Sequence, residues 1–180
     1  MRASVTIMAC AASMMSATPT AARDTDGWDK SGSIARDALV VTALALPAVK
    51  GDWKGDVQAL ASLGSAFLIT TVFKETVKAR RPDGSDQRSF PSGHTSASFA
   101  AAATLHNRYG WKIGLPAQAL AAFVGISRVE AKRHHWGDVL AGAAIGEASG
   151  LLLTKKLNPN IRVVPWGDTR SGGVSVAMRF

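Results

Sequence analysis

Three short stretches hold the side chains able to do chemistry: Lys74–Pro82 (KETVKARRP), Pro91–His94 (PSGH) and Ser127–Asp138 (SRVEAKRHHWGD). Together they offer cations, histidines, a serine and a carboxylate, a set suited to gripping and attacking a phosphoryl group. Lys74, Arg81 and Arg128 can neutralise a tetrahedral oxyanion, arginine through paired hydrogen bonds and lysine as a point charge. Ser92 after Pro91 is suited to cap a helix, whose free amides and dipole attract anions, while Gly93 lets a ligand come close. His94 then lies in the first turn, where it can protonate what leaves. A carboxylate on one imidazole nitrogen fixes the tautomer and leaves the other nitrogen nucleophilic. Asp138 stands four residues from His134 and three from His135, and either spacing lets the pair meet on one helix face, so both histidines stay open as the nucleophile.

Positioning these groups requires helices. Lys74 and Arg81 are seven residues apart, close to two helical turns, so one helix from about Asp56 to Arg80, ended by Pro82, puts them on one face together with Lys78. Four more helices are expected, at about Ile34 to Val49, Ser92 to Tyr109, Leu115 to Ser127, and Trp136 to Lys155-Lys156. The fold class is therefore all-α, a bundle of about five core helices. The polar stretch Arg23 to Ser33 reads as a linker or surface arm. Alternation near the C-terminus predicts two short strands, Ile161 to Val164 and Val174 to Phe180, forming a hairpin. The organisation expected is a leader over 1–22, a helical domain over 23–157 and a hairpin tail over 158–180.

The leader carries Arg2, an apolar run from Ala3 to Met15 and small residues from Ala17 to Ala22, the pattern of an export signal. A first membrane segment and lipid attachment at Cys10 are the competing readings. The longest apolar run, Val57 to Phe73, has 17 residues, short of the ~20 a span needs, and mean hydropathy is only +0.08. If the helices cross a membrane, both motif-bearing loops fall outside, with Lys50/Lys54, Arg108/Lys112 and Lys155/Lys156 inside, in keeping with the positive-inside tendency. The chain is accordingly expected to be exported and to lie in or on a membrane, its site facing the periplasm or outside.

The 180 residues carry a formal charge of +8 and 7% aromatic residues. The charge implies an anionic partner. The basic residues cluster in the motif stretches without interleaved aromatic platforms, so a phosphate ester fits better than nucleic acid. One cysteine excludes an intrachain disulfide, and the four histidines make no H-E-x-x-H pattern. Metal-free chemistry without a cofactor is expected.

In order and spacing the three stretches resemble the type 2 phosphatidic acid phosphatase family, which also contains bacterial acid phosphatases and vanadium haloperoxidases. The family pattern, Lys-x6-Arg-Pro, then Pro-Ser-Gly-His, then Ser-Arg-x5-His-x3-Asp, is matched by Lys74 to Pro82, Pro91 to His94 and Ser127 to Asp138. The resemblance covers about Asp56 to Leu153 and singles out Arg81 over Arg80 and His134 over His135. It implies a helical bundle whose motifs meet at one end. His134 would attack phosphorus, Asp138 would orient it, and His94 would protonate the leaving oxygen and then activate water. Lys74, Arg81, Ser92, Gly93 and Arg128 would hold the phosphoryl oxygens. The implied activity is metal-independent hydrolysis of a phosphate monoester or pyrophosphate, on a phosphorylated lipid or a small ester, through a phosphohistidine. The alternatives are a vanadate-dependent haloperoxidase and a non-catalytic phosphate- or headgroup-binding membrane protein. Many lipid-acting relatives have longer apolar segments than this alanine-rich chain, which bears on the substrate and not on the chemistry.

Overall fold

The computed structural model of the chain describes residues 24–156, 161–167 and 172–178. The expected leader and Cys10 lie outside the described residues. Five helices follow in order: α1 (Thr25–Val49), α2 (Trp53–Thr76), α3 (Gly93–Tyr109), α4 (Trp111–Glu130) and α5 (Trp136–Leu153). Strands β1 (Ile161–Gly167) and β2 (Gly172–Met178) then pair antiparallel, with Ile161 opposite Met178 and Gly167 opposite Gly172. The all-α bundle with a short terminal hairpin is as the sequence predicts.

Two boundaries differ in ways that matter. The helix expected from Ile34 begins at Thr25, so the stretch read as a linker is the first turns of α1. Asp24 caps it, accepting a hydrogen bond from the Gly27 amide at 2.8 Å, and Asp29 and Ser33 further along find partners on other helices and loops of the bundle. The second helix stops at Thr76, not Arg80, because Val77 turns extended (φ −104°, ψ 106°). Ala79 then bonds across the loop: its amide donates to the Gln87 carbonyl at 3.1 Å and its carbonyl accepts from Ser89 at 2.9 Å. Arg81 therefore does not share a helix face with Lys74.

The middle of α3 is the axis of the bundle. Ala100, Ala101, Ala102, Ala103 and Leu105 are all buried, and α3 packs against each of the other four helices. Small side chains on every face of α3 are what allow this. From α5, Gly142, Gly146 and Gly150 press onto it at four-residue spacing, the small-residue mode of close helix contact. A Cβ at Gly142 would lie 2.6 Å from the Ser92 carbonyl oxygen, and one at Gly146 2.3 Å from that of Ser96. This closeness sets the site, because Asp138 lies in the first turn of α5 and α3 starts at the PSGH turn.

The helix order makes one pole from the starts of α1, α3 and α5 and the ends of α2 and α4. At the other pole buried Arg108 pairs with Asp52 through two hydrogen bonds, and its Nη1 donates to Gln58 Oε1 and the Lys155 carbonyl, each at 2.9 Å. That lock ties the α1–α2 turn to the C-terminal ends of α3 and α5. Among the described residues α1 and α2, of 25 and 24 residues and each holding an 18-residue stretch with a mean hydropathy of 1.4, are long and apolar enough to cross a membrane. Large apolar side chains point outward, Phe67 at 68% and Leu152 at 81% exposure.

Candidate active site

The loop after α2 brings in the first two cations by separate routes. Lys74, in the last turn of α2, donates from Nζ to the Arg88 carbonyl at 2.8 Å. Arg81 is held from both ends: its amide donates to the Asp86 carbonyl at 3.0 Å and its Nε to Asp86 Oδ1 at 2.8 Å. The loop is fastened to the α4–α5 connection as well, with the Asp83 amide donating to the Lys132 carbonyl at 3.1 Å and Arg133 Nη1 to Asp83 Oδ2 at 3.1 Å.

Ser92 is the N-cap of α3, fully buried, its hydroxyl oxygen accepting from the Thr95 amide at 3.4 Å and from Thr95 Oγ1 at 2.9 Å. Its amide donates to the Asp138 carbonyl at 2.9 Å, so the PSGH turn is stitched to the start of α5. Both bonds use the Ser92 oxygen as acceptor and leave its O–H proton to donate elsewhere, while Gly93 and His94 face a pocket.

His134 is 4% exposed, whereas the side chain of His135 is 58% exposed. Asp138 Oδ2 accepts from Ser89 Oγ and from the His135 amide at 2.8 Å. It lies 3.7 Å from His134 Nδ1 and 3.4 Å from His135 Nδ1. The former is longer than a hydrogen bond, and among the described residues the buried His134 Nδ1 has no partner in good hydrogen-bond geometry. The carboxylate thus stands behind the ring without closing on it. Burial first, then Arg81 and Lys74 nearby, push the His134 imidazole down to about 4, so it is neutral at pH 7.

Lys74, Arg81, Gly93, His94, Arg128 and His134 together line one pocket of about 280 Å³. Six of the eight residues predicted from sequence therefore converge. Ser92 sits beneath the pocket and Asp138 behind it, each bonded to residues that support it. Asp29, Ser33 and Arg133 complete the lining. Four cations and one carboxylate in so small a space suit an anion with more than one charge.

Sequence reasoning missed the contribution of α1. Ser33 Oγ lies 3.3 Å and Arg36 Nη1 3.1 Å from His94 Nε2. Because a guanidinium only donates, that nitrogen is an acceptor in this state. Asp29 Oδ1 accepts from Arg128 Nη1 at 2.6 Å and Asp29 Oδ2 from Arg133 Nη2 at 2.9 Å. The signal was present: positions 29, 33 and 36 share one helical face once the stretch is read as helix. Ser89 was missed too, and no local pattern around it points to Asp138.

The family model described as the PAP2 superfamily matches residues 56–162, which leaves α1 outside. Over 96 residues, 51% of the chain, it is 44% identical to a lipid A 1-phosphatase of Porphyromonas gingivalis. Over 81 residues, 45% of the chain, it is 40% identical to a lipid A 4'-phosphatase of Helicobacter pylori. The chain spans 22% and 41% of these relatives' own lengths. In fold it is similar to the first transmembrane PAP2 type phosphatidylglycerolphosphate phosphatase from Bacillus subtilis, with a TM-score of 0.57 at 23% identity over 72% of this chain and 74% of that one.

Proposed function

The chain belongs to the PAP2 superfamily, and from that premise we propose that it is a membrane-bound phosphatase acting on a phosphorylated lipid through a phosphohistidine at His134. The observation that carries this reading is the single pocket in which a neutral buried His134, His94 and the cations Lys74, Arg81 and Arg128 meet. Relatives named as lipid A phosphatases favour a lipid phosphate, and the exposed apolar faces of α1, α2 and α5 suit a bilayer better than water.

In the first step His134 Nε2 attacks phosphorus. The P–N bond forms as the bond to the lipid oxygen breaks. Burial, then Arg128 and Arg36, hold the His94 imidazole down to about 3, so His94 must first take up a proton together with the phosphate dianion before it can give that proton to the leaving oxygen. Asp138 lies on the Nδ1 side, where closing the 3.7 Å gap would stabilise the charge that grows on the ring. In the second step water attacks phosphorus, His94 takes its proton, the P–N bond breaks and inorganic phosphate leaves. Lys74, Arg81, Arg128 and the Gly93 amide offset the oxygens' charge throughout, the main catalytic contribution in phosphoryl transfer. Ser92 fixes the turn through the bonds its oxygen accepts and has its O–H proton left for a phosphoryl oxygen. The pole bearing Lys50, Lys54 and Lys155 would face the cytoplasm and the pocket the periplasm or outside.

The test is phosphate release by the detergent-solubilised full chain from lipid A, phosphatidate, a lipid pyrophosphate and soluble esters, with and without chelator. Hydrolysis of a lipid ester, unaffected by chelator, is expected. His134→Ala should abolish it and prevent labelled phosphate from being trapped on the protein, while His135→Ala stays active. An active His134→Ala variant would overturn the assignment.

A further inference from the structure

An anionic side chain inside an anion-binding pocket calls for an explanation. Asp29 lines the pocket and lays both carboxylate oxygens on arginines that also line it, Oδ1 on Arg128 and Oδ2 on Arg133. Arg128 is 2% exposed and is otherwise spoken for. Its Nε donates to Ser127 Oγ at 3.2 Å, and its Nη2 donates to the Trp28 and Asp29 carbonyls at 3.3 and 2.7 Å. With Nη1 on Asp29, four of the five guanidinium N–H groups are engaged, three of them by α1, leaving one for a ligand.

The arrangement is built in. Gly32, one turn along α1, allows the helix to close on this arginine: a Cβ there would lie 1.8 Å from Ser127 Oγ and 2.5 Å from Arg128 Nη2. Arg128 is held against α1 by these bonds, so a phosphoryl oxygen that takes its remaining Nη1–H lies beside the Asp29 carboxylate on the same nitrogen, and one that takes more of this arginine or of Arg133 must displace that carboxylate.

We infer that Asp29 is an internal counter-anion of the phosphate pocket, competing with the phosphoryl group for Arg128 and Arg133 and so limiting how tightly inorganic phosphate is held. This rests on the pocket being a phosphate site, as proposed above. A carboxylate returning to the two arginines expels the product. It also keeps a buried guanidinium paired when the pocket is empty, which a bare cation in that position would not tolerate.

The test is the affinity of the full chain in detergent micelles for inorganic phosphate, by calorimetry. Asp29→Asn keeps the shape and loses the charge. It should bind phosphate on the order of tenfold more tightly or better, since two like charges this close in a partly buried site repel strongly. Asp29→Glu should retain the weaker binding. Unchanged or weaker binding by Asp29→Asn, or binding by Asp29→Glu as tight as by Asp29→Asn, would overturn the inference. In the unaltered chain, phosphate should shift the carboxylate band of 13C-labelled aspartate in difference infrared spectra; an unmoved band overturns it without recourse to a variant. Tighter phosphate binding by Asp29→Asn in a chain that hydrolyses no lipid ester would sink the proposed activity and leave this inference standing.

Discussion

Gly146 lies where α5 comes closest to α3, and replacing it with alanine tests whether that closeness holds the site. A Cβ at this position would meet the Ser96 carbonyl oxygen at 2.3 Å, the Ala100 amide nitrogen at 2.7 Å and Phe99 Cβ at 2.8 Å. Two of the three are backbone and cannot turn aside, so α5 must retreat by roughly 1 Å, and overpacking of this kind costs about 1–3 kcal/mol. Alanine in place of glycine inside a helix returns about 1 kcal/mol. Gly137, in the first turn of the same helix, has nothing within 4 Å of its would-be Cβ, so Gly137→Ala receives the propensity gain alone. The two variants should therefore separate by the steric cost, which for a domain of this size is roughly 2–4 °C in melting temperature per kcal/mol. The functional effect is larger, because retreat of α5 draws Asp138 from Ser89 and from the Ser92 amide it anchors. A misplacement near 1 Å can cost ~100-fold in rate. The assay is thermal unfolding in detergent beside phosphate release from one lipid ester. Equal melting temperatures and rates for Gly146→Ala and Gly137→Ala would refute the reasoning.

Three further outcomes are expected. The acid limb of kcat/KM should track the free-enzyme His134: with its imidazole lowered to about 4, the neutral nucleophile persists down to that pH and is lost below it, whereas an ordinary imidazole would begin to protonate near 6.5. NMR titration of the His134 ring checks this, and a midpoint at or above 6.5 contradicts it. Ser89→Ala removes one donor from Asp138 Oδ2 and should lower kcat about tenfold with KM little changed, as loss of a group that orients a catalytic one does; a change confined to KM would show that Ser89 acts otherwise. Asp52→Ala strands the buried Arg108 guanidinium at the far pole and should cost about 3–5 kcal/mol of stability while leaving phosphate affinity intact, measured by melting temperature and calorimetry.

Motif spacing was the legible part of the site: the family resemblance it carries implied that the three stretches meet at one end, and six of the eight residues line one pocket. The helix count was equally legible: Pro, Gly and capping residues mark the breaks, and Ser92 capped α3 where expected. What local pattern could not supply was tertiary. The end of α2 depends on Ala79 finding partners across the loop at Gln87 and Ser89, a contact no helical periodicity encodes. The polar start of α1 looked solvent-facing because its partners, Arg128 and Arg133, are about a hundred residues away in sequence.

The α3–α5 spine and α1 differ in how freely they can change. The spine is fixed by glycines and alanines with no room to spare, whereas α1 reaches His94 and Arg128 through Ser33, Arg36 and Asp29 from a helix outside the matched family region. A descendant of this chain could exchange that one helix for another, provided a glycine still stands where Gly32 meets Ser127, and so reshape one wall of the pocket while inheriting His94 and His134 untouched. Chimeras that graft foreign first helices onto residues 53–156 would retrace that route in the laboratory.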